Sequence, residues 1–449
     1  MENLITYAEK KGCEYTEIKS YRGTKNTIEF SNSDLKELSS NDENLSSVKI
    51  IYKGSEGLSF SNKENFRELI DKAINLAKAQ TKKIKFTELK SINKKITTKA
   101  KINLENISLE EKKKDILNLI NYKKSYKKIS NVRFIYKDSK TYFNFINSEG
   151  RNITWNDCAV KYIVYSYAKD GTRIESFLDT KAGHGGYELL KDNSDDLIKY
   201  VLSMGEKMLK SKKAEAGNYP IMVDNHLGGV FAHEAVGHGC EADAVLQGSS
   251  VMKNKGEKIG SNFITIIDDK TIEGNNGWVP YDDEGVEGER TVLVEKGILK
   301  GYLHNRETAA EMKENPTGNG RCMGLSQRAI PRMSTTFVDS GNSNYDEILS
   351  SIKNGYYLIG TLGGQVNPTT GEFLFNAMYG YKILNGELKE IVKNVGLTGN
   401  ILETLHKINL IGKEIKFNSG TCGKAGQWVP VSDGGPIFKI DNARVGGSE

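Results

Sequence analysis

Residues 231–243 read FAHEAVGHGCEAD and place His233, Glu234 and His238 within six positions, in a chain with six histidines altogether. Two imidazoles beside a carboxylate are the parts of a divalent-metal site. The rings donate lone pairs, and the carboxylate takes a proton from a water at the metal. The pattern is His-Glu-x-x-x-His, one residue longer than the common zinc-protease motif. At about 100° per residue a four-residue step returns to nearly the same helix face, but a five-residue step overshoots by roughly 140°. A regular helix therefore aims the two rings apart. A local widening to an i→i+5 turn, or a break, restores the aim, and such distortions concentrate at functional sites. Gly237 and Gly239 flank His238 and make that distortion cheap. The other reading is two histidines on a core helix, satisfied by backbone carbonyls. A metal also needs a third protein ligand, which this stretch does not obviously supply.

Outward from the motif, Tyr219–Val223 reads as a strand leading in. Beyond it glycine is frequent and strands are short: Phe263–Ile267, Thr291–Glu295, Thr335–Val338 and Tyr379–Leu384. This is the signature of a β-rich unit whose main helix carries the histidines. The preceding half differs. An amphipathic helix over residues 3–11 is closed by Gly12, followed by short strands at Tyr15–Tyr21, Thr27–Phe30, Ser47–Tyr52 and Gly57–Phe60. A helix spans Asn62–Lys78, capped by Ser61 or Asn62, and another spans Ser108–Tyr122 with Ser108 and Glu111 as a capping box. Lys82–Lys101, rich in Lys and Thr, reads as a mobile connection. Aromatic and β-branched segments at Val132–Tyr136, Thr141–Asn147, Asn152–Tyr167 and Arg173–Thr180 predict an antiparallel sheet. Asp195–Lys210 returns to helical spacing. The expected fold class is α+β: an N-terminal α+β domain with an antiparallel sheet over 1–215, and a C-terminal β-rich domain carrying the metal-site helix over 216–449.

The 449 residues carry 63 basic and 58 acidic side chains, a net charge of +5, too mild an excess to argue for nucleic acid. Five cysteines, an odd and small number, are no disulfide framework and suggest a reducing compartment. The N-terminus has no apolar signal core, and no apolar run approaches the roughly 20 residues that span a bilayer. The expectation is a cytoplasmic protein without membrane or nucleic-acid partners.

The third ligand is sought among the thiols, which bind zinc well. Cys13 and Cys158 belong to the other half. Cys240 is two residues past His238 and suits a buried structural thiol. Cys322 falls in a loop beside Arg321. Cys422 lies in SGTCGKAGQWVPVSDGGP (419–436), a Gly-dense stretch without helical or strand period, which reads as a turn-rich loop able to approach a metal closely. From the residues alone, Cys422 as ligand and Cys422 as an inert thiol both stand.

Taken together, HEAVGHGCEAD (233–243), YDDEGVEGERTVLVEKGILKGYL (281–303), PTGNGR (316–321), PRMSTT (331–336), CGKAGQWVPV (422–431) and VGGSE (445–449) resemble the TldD/TldE (PmbA) metalloprotease family, and within it the TldD type. The match covers the C-terminal half in order. The N-terminal half matches more loosely, mainly in VKIIYKGSEGLSFS and the helix after it. The resemblance implies zinc held by His233, His238 and Cys422, with Glu234 as general base. It also implies a two-domain fold, and a dimer with a second copy or with a metal-free TldE-like paralogue, active sites facing an internal cavity. Unfolded or short peptides are the implied substrates. TldE-type partners lack the histidine motif, which this chain keeps. The sequence departs from the family at Cys240, where leucine is usual, in CMGLSQR (322–328), where a histidine often stands at the position of Gln327, and at Ser432–Gly434, in place of a Gly-x-Gly. These departures leave the metal set intact and bear on substrate preference.

The resulting expectation is peptide hydrolysis by a metal-activated water, with Glu234 moving its proton to the leaving amine. His304 and Tyr281 are candidate second donors to the oxyanion. Substrate is expected as an extended strand on a sheet edge. The competing reading is a non-catalytic interaction subunit with a structural metal site, for which a free carboxylate at Glu234 has no use. A DNA-binding role finds no basic motif.

Overall fold

The computed structural model describes residues 2–447, so Ser448 and Glu449, the end of the last family match, lie outside the described residues. After helix Glu2–Lys10 come two antiparallel strands longer than the sequence suggests. The polar residues between the expected short strands do not interrupt them: Tyr15–Ser31 and Asp34–Tyr52 run as one continuous hairpin. The turn-proximal half of the second strand, residues 34–44, is exposed on both faces, so no apolar alternation marks it. The hairpin lies in a seven-stranded sheet ordered Ser55–Ser61, Asp34–Tyr52, Tyr15–Ser31, Ile129–Asn147, Arg151–Asp170 and Ile92–Thr97, with Arg173–His184 also paired to Arg151–Asp170. Helix Phe66–Lys78 covers one end of it, burying Leu69, Ile70, Ala73 and Ile74 against Ile18, Val48 and Ile50. Its cap is Asn65, whose side chain accepts from the Glu68 amide, rather than Ser61 or Asn62. Helix Leu109–Ile120 starts at Ser108 with the expected capping box and packs with Ser194–Met208 over the other end.

Lys82–Lys101 is not a featureless connection. Ile92–Thr97 pairs in parallel with Arg151–Asp170, and the Thr87 amide donates to the carbonyl of Arg306. Exposed lysines hid a strand that is held by backbone pairing and has no buried face of its own.

The second half is built on a closed ring of five strands: Asn354–Val366, Gly217–Val223, Phe438–Gly447, Val395–Asn400 and Glu372–Leu384, the last pairing back to the first. Ring closure removes free sheet edges. Beside it lies a six-stranded sheet ordered Ile298–Leu299, Arg290–Glu295, Ile266–Asp269, Thr335–Val338, Gln427–Gly435 and Lys416–Lys424. One apolar core runs through both, from Ile221, Leu358 and Phe375 to Ile266, Leu293 and Val431. The chain is thus α+β, with a β-rich second half. No helix among the described residues is long and apolar enough to cross a membrane.

Candidate metal centre

The histidine stretch leaves the ring directly. Strand Gly217–Val223 ends at Asp224, whose carboxylate caps helix Asn225–Phe231 by accepting from the Leu227 amide at 2.8 Å and also from the Gly360 amide at 3.1 Å. Phe231 anchors the helix among Phe373, Phe375 and Phe438, ring centroids 5.7, 6.1 and 6.4 Å away. Its other face approaches strand Gln427–Gly435 so closely that a Cβ on Gly229 would sit 2.2 Å from the Gly434 nitrogen.

At Ala232–Gly237 the helix widens into a π turn, and the His238 amide bonds the carbonyl of His233, five residues back. This is the distortion the five-residue spacing requires, followed by a 3₁₀ turn over His238–Cys240. The two rings meet edge to face, centroids 5.3 Å apart.

Cys422 comes from the neighbouring sheet. Residues 419–436 are not a loop: Lys416–Lys424 and Gln427–Gly435 form a regular hairpin with Cys422 opposite Val429. Its turn uses Ala425 and Gly426, both at positive φ (51° and 73°), the geometry that matches hairpin twist. The glycines that made the stretch look irregular are contact points, since the Trp428 ring lies directly over Gly423. Arg332, fully buried, holds the hairpin from behind by donating to the carbonyls of Cys422 (2.6 Å) and Gln427 (3.3 Å).

These elements bring His233, His238 and Cys422 together, their ligand atoms all within 4.8 Å of one another. Cys422 Sγ is 3.6 Å from His238 Nε2. Two ligands of a tetrahedral zinc, at about 2.3 Å for sulfur and 2.0–2.1 Å for nitrogen, are separated by about 3.6 Å. The soft thiol and borderline imidazoles fit zinc in kind as well. Burial pushes the Cys422 thiol up, but the charge of His233 and hydrogen bonds from both histidines outweigh it and bring it down to about 4. Burial likewise pulls His238 down, while the Glu241 carboxylate and Cys422 hold it well above the ordinary histidine range. The protonated set is therefore a thiolate beside imidazolium, and a metal would enter by displacing protons.

Glu234 lies on the same π turn with its Oε2 3.8 Å from His238 Nε2 and its side chain a quarter exposed. Its carboxylate is open to water. Asp433, on the hairpin's second strand, is different: burial pushes it up to about 7, and its Oδ1 has no hydrogen-bond partner.

The other candidates fall elsewhere. Cys240 is fully buried and its thiol is pushed up by burial. Cys322 is buried at the end of strand Gly320–Arg321, its amide bonded to Asp283. His304 is buried and engaged with Thr308 at 3.2 Å and Glu314 at 3.4 Å. Tyr281 lines a cavity of about 750 Å³ between the first sheet and residues 322–325, together with Tyr21, Phe143, Trp155 and Met323. Sequence reasoning missed Arg332, Glu241 and Lys424. All three lie within the family-matching stretches, Arg332 in PRMSTT, Glu241 three residues past His238 and Lys424 two past Cys422.

A family profile described as the PmbA/TldA metallopeptidase C-terminal domain matches residues 216–447. The chain belongs to this family. A protein of Methanocaldococcus jannaschii named a metalloprotease is 40% identical over 431 residues, covering 94% of this chain and 95% of that one. A Saccharolobus solfataricus protein named a zinc metalloprotease TldD homolog is 30% identical over 456 residues, covering all of both. The crystal structure of TldE from Thermococcus kodakarensis superposes with a TM-score of 0.80 over all of both chains at 21% identity, which establishes a shared fold.

Proposed function

We propose that this TldD/PmbA member is a zinc-dependent peptidase with His233, His238 and Cys422 as ligands and Glu234 as general base. The observation that carries the reading is the convergence of two imidazoles and a thiol beside a solvent-accessible carboxylate. A zinc ion held there would acidify a water and polarise the scissile carbonyl. Glu234 accepts the proton at a carboxylate oxygen and returns it to the leaving amine nitrogen. Its partial exposure lets the next water reach the carboxylate. The relatives' names, metalloprotease and zinc metalloprotease, support the same chemistry.

Substrate, in this reading, is an unfolded or short peptide. The Cys422 strand is the sheet's last, but Arg332 and Asn276 already take the carbonyls of Cys422 and Gly420. We therefore place the peptide on the side of the aromatic cavity, whose wall is tied to the hairpin by the Met323 amide donating to Gln427 Oε1 at 3.0 Å. His304 is fully buried, out of reach of a substrate oxygen, and Tyr281 in the cavity wall remains the candidate donor. We also propose that residues 1–215 and 216–449 are separate domains, and that the chain pairs with a second copy or a TldE-like paralogue.

The test is digestion of unfolded peptides by the purified protein with and without a chelator. Cleavage that stops with chelator and returns with zinc supports the reading. Cleavage indifferent to the chelator, or none from zinc-loaded protein, contradicts it.

A further inference from the structure

The buried carboxylate of Glu241 and the ammonium of Lys424 play no part in the chemistry above, yet they touch both halves of the ligand set. We propose that they are positioning residues. Glu241 fixes the orientation and tautomer of His238, and Lys424 locks the Cys422 hairpin to that carboxylate, so that thiol and imidazoles are held in register for the metal. The proposal rests on the zinc reading of the site.

The backbone creates the arrangement. Glu241 ends the 3₁₀ turn in an extended conformation, φ −68° and ψ 118°. There the chain is gripped by a neighbouring segment: the Leu303 amide donates to Cys240 at 2.8 Å, and the Ala242 amide to Leu303 at 3.0 Å. The Glu241 side chain, 2% exposed, turns back beneath His238 and places Oε2 2.9 Å from Nδ1. A carboxylate can only accept there, so Nδ1 keeps its proton, and Nε2, 3.6 Å from Sγ, is the nitrogen whose proton a metal would displace. Carboxylates that hold a ligating histidine this way raise its basicity and restrict its ring.

Lys424 closes the bracket. It is two residues beyond Cys422 on one strand, and such residues share a face. The thiol meets one nitrogen of the imidazole, and the ammonium meets the carboxylate that holds the other, Nζ to Oε2 at 3.1 Å. Lys424 also pairs with Asp243 at 2.8 Å and donates to the Pro331 carbonyl at 3.0 Å. The lysine is therefore fixed from three sides. A carboxylate this deeply buried is costly unless paired and hydrogen-bonded, and His238 and Lys424 are its partners.

A purely structural ion pair predicts lost stability with unchanged metal affinity, whereas positioning predicts the reverse emphasis. The experiment measures the zinc dissociation constant of full-length protein by competition with a chromogenic chelator, beside the melting temperature of the zinc-free form. Glu241→Ala should weaken zinc binding roughly 10–100-fold. Glu241→Gln, which keeps an acceptor for Nδ1 but loses the charge facing Lys424, should fall between Ala and the parent. Lys424→Met should weaken binding several-fold while Glu234→Gln leaves it unchanged. Zinc constants within threefold of the parent in folded Glu241→Ala overturn the proposal. If that variant does not fold, parent-like constants for both Glu241→Gln and Lys424→Met overturn it. A parent protein that binds no zinc refutes the underlying reading instead, and the two failures are distinct.

Discussion

Two of the buried polar clusters among the described residues are built on opposite rules. Between the first sheet and residues 282–306, opposite charges face one another. The Glu17 carboxylate is 2.9 Å from Lys19 and 3.1 Å from Lys49, and Lys49 is 3.4 Å from Glu284. Nearby, Arg306 pairs with Glu149 and donates to Tyr15 Oη at 2.9 Å and to the Thr87 carbonyl. Burial pushes Glu17 up, but the two ammonium groups outweigh it and bring it down to about 2. At the metal centre, lone-pair donors face one another instead. A thiol and two imidazoles converge, and Nδ1 of buried His233 has no hydrogen-bond partner. The first pattern joins two parts of a fold. The second has the donor set that the proposed zinc ion calls for.

If that contrast is right, damage to the two clusters separates cleanly. The largest effect is expected from Cys422→Ser, which removes one ligand of the set. Zinc affinity should fall by roughly 100-fold or more, with circular dichroism unchanged, and metal analysis after dialysis reads it. Arg306→Ala should do the reverse. Leaving Glu149 without its cation and Tyr15 Oη without its donor costs about 3–5 kcal/mol, visible in the urea midpoint, while zinc content stays at the parent value. The smallest effect is a matter of pH. Because the folded protein depresses the Glu17 carboxyl, its contribution is complete above the unfolded value near 4.5 and is lost as pH falls toward about 2. Between those limits the unfolded chain binds more protons, so stability drops with acid by up to about 1.4 kcal/mol per pH unit. In Glu17→Gln that part of the slope should vanish, measured by urea denaturation at pH 5, 4 and 3.

The ease of reading the chain differed along the same line. A distortion at the histidines was legible because two rings five residues apart cannot share a regular helix face, and of the two forms left open, a widened turn or a break, the chain takes the widened turn. The capping box at Ser108 was legible because it is local. The Cys422 hairpin was not, because its glycines serve contacts made by Trp428 and by the approaching helix, which the sequence does not display. The long exposed ladders were broken into pieces for a related reason: strand pairing holds them, and pairing leaves no apolar period where both faces meet water. Ile92–Thr97 was hidden the same way. The Glu241–Lys424 contact joins residues 183 positions apart, which spacing alone does not reveal.

Replacing Glu234 with Gln tests the central claim most directly, since it keeps the shape of the side chain and removes its basicity. The account predicts zinc bound at the parent stoichiometry with peptide cleavage reduced by roughly 10²–10⁴-fold. Cleavage at the parent rate by the zinc-loaded variant would contradict it.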